Sequence, residues 1–336
     1  MEVDAAARLW PTTDVVGLVV RESSPLRMLG WPMGSRAMYE LPAVPGAFAE
    51  GRPSLCPGGR AVLLDLDVSL ADGPGEADRR ARGTARVDLT TGDTAHLWFD
   101  GFPESKSGAT VGGSPDGSRV GIAWTWLERA LDASAWPVAV LRLYLATFDG
   151  APARELATIT GGMATGINLD DVPVQWSPDG TRVAFSVARQ VQGPGGVGNV
   201  VRETHVYDAV NGVEVQRAPG TLCGSASWGP GSDLLLIDHD LDDTWVYDLR
   251  ADTAREVSVL PPSAGRDMRP QRALGLADED HLITCRQRGE RTTISLMNLA
   301  DGTTAEILSY SYEEARYPVI AALPRGTWTP QGGVAP

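Results

Sequence analysis

The stretch Val-Pro-Val-Gln-Trp-Ser-Pro-Asp-Gly-Thr-Arg-Val-Ala-Phe-Ser-Val over residues 172–187 describes two short strands joined by one tight hairpin. Ser177 opens the turn, Pro178 presets φ, Asp179 accepts the bend and Gly180 closes a bulged three-residue hairpin in the left-handed conformation. Only glycine adopts that conformation cheaply. Beyond the turn, Val183, Phe185 and Val187 alternate with Arg182, Ala184 and Ser186, the period of two of a strand with one more apolar face. Such a strand needs paired neighbours.

The same unit recurs at Gly113-Ser-Pro-Asp-Gly117 and, less completely, at Cys56-Pro-Gly-Gly59, Trp228-Gly-Pro-Gly-Ser-Asp233 and Leu276-Ala-Asp-Glu-Asp280. Each copy is followed by a second strand-to-turn signature: Val87–Gly92, Tyr144–Gly150, Val206–Gly212, Val246–Asp252 and Met297–Gly302. The step between copies is roughly 50 to 60 residues, the spacing of four-stranded propeller blades. An all-β chain forming a single β-propeller over 1–336 is expected, with repeats at about 53–100, 110–160, 172–219, 225–260 and 270–308.

Trp-Ser-Pro-Asp-Gly followed by an apolar strand, then a strand ending in Asp and a Gly turn, resembles the Trp-Asp-like repeat of TolB-type propellers and of the propeller domains of prolyl-oligopeptidase-like peptidases. The resemblance covers roughly 53–310 and implies the architecture; the repeat residues build hairpins and perform no chemistry. Residues 1–52 lack the turn signature but carry two strand-like runs, 14–20 and 27–31. Pairing these with 311–336, where Tyr317–Leu323 reads as a strand, would close the ring in one shared blade. Six blades are then expected, with seven the alternative if 1–52 form a blade alone.

A formal net charge of −14 without a compensating Lys/Arg cluster disfavours nucleic acid and anionic membrane surfaces. One Lys, Lys106, stands against 28 Arg, a codon bias that points to a bacterial gene. Three widely spaced cysteines, Cys56, Cys223 and Cys285, imply no disulfide framework. No basic and apolar leader opens the chain and no apolar run is long enough to span a bilayer, so membrane insertion is not expected. The chain as given reads as cytoplasmic, or extracytoplasmic if a leader or anchor was removed.

In a propeller, the connection between the second and third strands shares a face with the connection into the next blade. The long insertions at 71–83, 124–136 and 190–199 therefore fall on one face, opposite the short turns. Binding residues concentrate on loops held by a rigid scaffold. The lead-in segments place Asp170, Asp171, Asp267, Arg269, Arg272, Glu313 and Arg316 at the mouth of the central channel. The 124–136 segment reads as a short helical excursion, with Trp126 and Trp136 offered to a partner or ligand.

No complete catalytic signature is present. Gly193-Pro-Gly-Gly-Val-Gly198 precedes a strand and not a helix, so it reads as a hairpin loop and no dinucleotide site. Asp238, Asp240, Asp242 and Asp243 form the densest oxygen run and would suit Ca²⁺ or Mg²⁺, without the EF-hand spacing; otherwise no cofactor is expected. Of the four histidines, His239 is the candidate general acid or base. The reading is a non-catalytic binding or scaffold propeller for a protein, peptide or extended ligand. The alternative is an enzyme of lyase, isomerase or hydrolase type, of bacterial specialised metabolism, holding a small molecule in the channel mouth.

Overall fold

Alternating apolar residues interrupted by tight turns produce strands and little else. The computed structural model describes residues 15–21, 27–32, 37–40, 44, 53–69, 80–89, 91–99, 108–128, 138–162, 174–192, 198–224, 226–240, 243–257, 272–311 and 317–320. Strands β1 (Val15–Arg21), β2 (Arg27–Pro32) and β3 (Ala37–Glu40) come first. Blade 1 follows with β4 (Ser54–Leu55), β5 (Ala61–Ser69), β6 (Arg80–Asp88) and β7 (Thr94–Trp98). Blade 2 holds β8 (Gly108–Gly113), β9 (Arg119–Glu128), β10 (Val138–Thr147) and β11 (Arg154–Gly162). Blade 3 is β12 (Val174–Trp176), β13 (Arg182–Gln192), β14 (Gly198–Asp208) and β15 (Glu214–Pro219). Blade 4 is β16 (Thr221–Leu222), β17 (Leu234–Asp240), β18 (Asp243–Asp248) and β19 (Thr253–Val257). Blade 5 is β20 (Arg272–Leu276), β21 (His281–Arg288), β22 (Arg291–Asn298) and β23 (Thr304–Ser311), and β24 (Tyr317–Ile320) ends the series.

Within every blade the four strands pair antiparallel in chain order, as an all-β propeller requires. The blade count is corrected: five blades carry described side chains, and not six or seven. One further sheet, in the order β24-β1-β2-β3, is described by its backbone ladder alone, with β24 running beside β20 and β4. Its side chains lie outside the described residues, so it is not counted as a blade. The expectation of more rested on strand-like runs at the chain ends that carry no hairpin signature.

Apolar clusters fill the wedges between blades. Leu63, Ile122, Trp124 and Phe99 join blades 1 and 2; Leu143, Phe185, Trp176 and Tyr207 join blades 2 and 3; Leu236, Leu282 and Met297 join blades 4 and 5. Between blades 3 and 4 side-chain hydrogen bonds cross the junction. The Gln175 side-chain amide donates to the Gly224 carbonyl at 3.0 Å, and its oxygen accepts from the Ser227 N–H at 2.6 Å. Inner strands approach so closely that a Cβ on Gly112 would lie 2.3 Å from the Val174 carbonyl oxygen. That contact is backbone, which cannot yield as a side chain can, so only glycine fits at Gly112. The buried indoles fix the same approach: Trp176 Nε1 donates to the Gly112 carbonyl at 2.8 Å and Trp228 Nε1 to the Gln175 carbonyl at 3.2 Å.

One local expectation fails. The described part of the segment expected to be a helical excursion is strand, since β9 continues to Glu128 with Trp126 opposite Val140; residues 129–136 lie outside the described residues. Trp126 is 4% exposed, packed in the blade 1–2 cluster with the Arg142 guanidinium 5.0 Å above its ring. Val120, Ile122, Trp124 and Trp126 keep a strict period of two, and burial of the indole extends the strand.

Candidate functional site

On the face carrying the short turns, two carboxylates are held by their own hairpins. At the turn before β13, Gly180 N–H donates to the Ser177 carbonyl at 2.9 Å and Ser177 Oγ to Asp179 Oδ1 at 2.6 Å. Thr181 returns both its N–H and its hydroxyl to the same carboxylate oxygen, at 2.9 and 2.8 Å. The turn before β9 repeats this around Asp116, with donors from Ser114 and Ser118. Burial pushes the Asp116 and Asp179 carboxyls upward, but these hydrogen bonds outweigh it and hold both below the usual carboxylate range.

Arginines then tie each turn to the neighbouring blade. Arg86 Nη1 donates to the Gly117 carbonyl at 3.2 Å, and Arg119 to the Gly180 and Ala209 carbonyls at 2.9 and 3.3 Å. Arg182 reaches the Ser232 carbonyl at 3.1 Å and Arg255 that of Glu279 at 2.8 Å. Arg119 also lies over Trp176, 4.7 Å from the ring centroid. Four successive blade junctions are thus bridged by a guanidinium that donates to backbone carbonyls.

At the opposite ends of the strands, the fifth residue of the second strand is polar in three blades: Asp65 in β5, Ser186 in β13 and Asp238 in β17. Each faces a threonine across the ladder, Thr84, Thr204 and Thr244. Ser186 Oγ shares a hydrogen bond with Thr204 Oγ1 at 3.1 Å and accepts the Leu222 N–H of the next blade at 2.7 Å. Asp238 accepts from Thr244 Oγ1 at 3.1 Å; burial raises its carboxyl, while hydrogen bonds from Cys223 and Thr244 and the charge of Arg202 oppose the rise. Thr84 is turned away, donating to the Leu64 carbonyl at 3.2 Å. Asp65 is left with no donor among the described residues, and burial pushes its carboxyl up to about 6.

The residues expected at the channel mouth fall mostly outside this description. Asp170, Asp171, Arg269, Glu313, Arg316, Trp136 and Asp242 lie outside the described residues. Arg272 is not in a lead-in loop but opens β20, opposite Cys285. His239 and Asp240 lie in β17 and Asp243 in β18, strands joined at a two-residue connection; of their side chains nothing is described. Among the described residues no group of three metal-ligating side chains converges. The glycine-rich 193–197 segment joins β13 to β14, strand to strand. Two other histidines have carboxylate partners: His205, 6% exposed, has Nδ1 3.0 Å from Glu214, and His281 has Nδ1 2.9 Å from Asp278 on the turn face.

Asp65 was not among the expected site residues. Its signal is present in the chain: Leu-Leu-Asp-Leu-Asp over 63–67 and Leu-Ile-Asp-His-Asp over 236–240 set a carboxylate at one repeat position within an otherwise apolar strand. Aligning the second strands by their distance from the turn would have shown it.

No protein-family model matches the chain, and no curated protein matches it. Among solved structures, TolB from Acinetobacter baumannii is similar at 17% identity over 92% of this chain and 66% of that one, with a TM-score of 0.46. An oligogalacturonate lyase in complex with manganese is similar at 14% identity over 82% and 72%, with a TM-score of 0.48. A prolyl endopeptidase gives 13% over 89% and 51%, with a TM-score of 0.42. This chain therefore spans just under two thirds of the TolB structure and about half of the endopeptidase. At such identities and TM-scores these likenesses say nothing of what the chain binds.

Proposed function

We propose that this chain is a binding or scaffold propeller that presents its loop-rich face to a protein or peptide, or to another extended ligand. The observation that carries the reading is the contrast between faces. Asp116, Asp179 and the arginines Arg86, Arg119, Arg182 and Arg255 are committed to hairpin or inter-blade hydrogen bonds at the turn end, whereas the strands that flank the long connections terminate at the other end. The repeat's resemblance to TolB-type propellers points the same way, and a net charge of −14 favours a cationic partner. Asp170, Asp171, Arg269, Arg272, Glu313 and Arg316 are the proposed contact residues at the channel mouth, and no cofactor is required.

The test is selection of peptides from a random displayed library on the immobilised chain, followed by calorimetry of synthetic copies. An Asp170→Ala, Asp171→Ala, Arg269→Ala variant with an unchanged melting temperature should lose about ten-fold or more in affinity. Equal affinity for both proteins would contradict the assignment of the face. Recovery of no peptide, together with turnover in a screen of small-molecule lyase and hydrolase substrates, would favour an enzyme using the channel mouth.

A further inference from the structure

We infer that Asp65 is a binding residue for an organic cation, a lysine or arginine side chain of the partner, at the margin of the junction between blades 1 and 2. The inference rests on the reading that the loop-rich face is the binding face, and it names the chemistry that this face selects. Three blades place a polar residue at one position, and two of them satisfy it internally: Ser186 with Thr204 and the Leu222 N–H, Asp238 with Thr244 and Cys223. In blade 1 the equivalent threonine gives its hydroxyl to the Leu64 carbonyl, as Thr204 gives its own to the Gly220 carbonyl, but among the described residues Asp65 has neither a hydroxyl of its own to donate, as Ser186 has, nor a threonine donor, as Asp238 has.

Position and surroundings define which chemistry would suit the Asp65 carboxylate. Leu63 is two residues before Asp65 on the same side of β5, and it packs in the blade 1–2 cluster with Ile122 and Trp124. The carboxylate of Asp65 therefore faces blade 2 at the margin of an apolar wedge, and the residue is partly exposed. A desolvated carboxylate without a donor is costly, and a cation that brings its own N–H groups relieves that cost. A long side chain suits the place, since its methylenes can lie along the apolar wedge while its charged head meets the carboxylate. Burial already holds the Asp65 carboxyl near 6, so binding of a cation would draw it down.

The test uses the full chain, hexalysine as probe and calorimetry at roughly physiological ionic strength. Asp65→Asn should weaken hexalysine about ten-fold. Asp149→Asn, an equal change of charge at an exposed turn, should weaken it less than about two-fold. Asp65→Ser, which installs the residue that blade 3 carries, should behave as Asp65→Asn and guards against a folding defect. Equal losses in the Asp65 and Asp149 variants, or none in either, would overturn the inference, as would one-to-one displacement of hexalysine by MgCl₂, which would give the site to a divalent cation. Should library peptides bind the wild type while hexalysine does not, the binding reading stands and this inference falls. Failure of every peptide to bind removes both.

Discussion

The two ends of the second strands treat one side chain in opposite ways. At the turn end Asp116 and Asp179 feel burial, but seryl and threonyl hydroxyls and backbone N–H groups surround them and hold them ionised below the usual range. At the other end burial raises Asp65 and Asp238, and among the described residues nothing opposes it at Asp65. Residue type is constant and the supply of donors is not. A carboxylate wrapped by its own turn is part of the scaffold, while one kept desolvated and without a donor lowers stability. Such costs are characteristically kept where function requires them.

Mutations can break or sharpen this contrast. The largest effect is expected at the turn end, where Trp176 is 1% exposed, donates to the Gly112 carbonyl and lies under Arg119. Trp176→Ala should destabilise by about 3–5 kcal/mol in urea unfolding. Asp65→Asn should act in the other direction and stabilise at pH 7 by roughly 1–3 kcal/mol. The sign follows from a folded value near 6 above an ordinary carboxyl value of 3.8. The penalty is fully present above pH 6 and fades as pH falls towards 4, so the stability difference between Asp65→Asn and wild type should shrink over that window.

Asp179→Ala removes the acceptor of three hydrogen bonds, from Ser177 and from the Thr181 N–H and hydroxyl. A loss of roughly 1–2 kcal/mol is expected at pH 7. Because the folded carboxyl is lowered, this contribution is complete above the ordinary value and disappears as pH falls through the folded one, a trend opposite to that of Asp65. The smallest change is Arg119→Lys, which keeps the charge but not the fork that reaches both Gly180 and Ala209. A loss of about 1 kcal/mol is expected by thermal unfolding.

The propeller was legible because its turns are chemical instructions. Ser-Pro-Asp-Gly specifies where a strand reverses, and Gly117 and Gly180 take φ of +67° and +70° as the hairpin requires. Blade count was not legible in the same way, since the runs at 14–20 and 27–31 have strand composition without a turn to fix their partner. Trp126 was misread when it was taken as part of an exposed insertion, although the period of two continued through Trp124 and Trp126. Asp65 was passed over for a physical reason. An acidic residue in an apolar strand reads as solvated until register shows what lies opposite, and here the orientation of the Thr84 hydroxyl decides the matter.

The most direct test of the account is a carbon-13 NMR titration of aspartate-labelled protein that follows the Asp65 and Asp179 carboxyl carbons in one sample. Asp65 should titrate near 6 and Asp179 below 3.8, with Asp65 moving downward when hexalysine is added. Two carboxyls titrating together, or Asp65 below Asp179, would contradict the division of the molecule into a structural end and the proposed binding end.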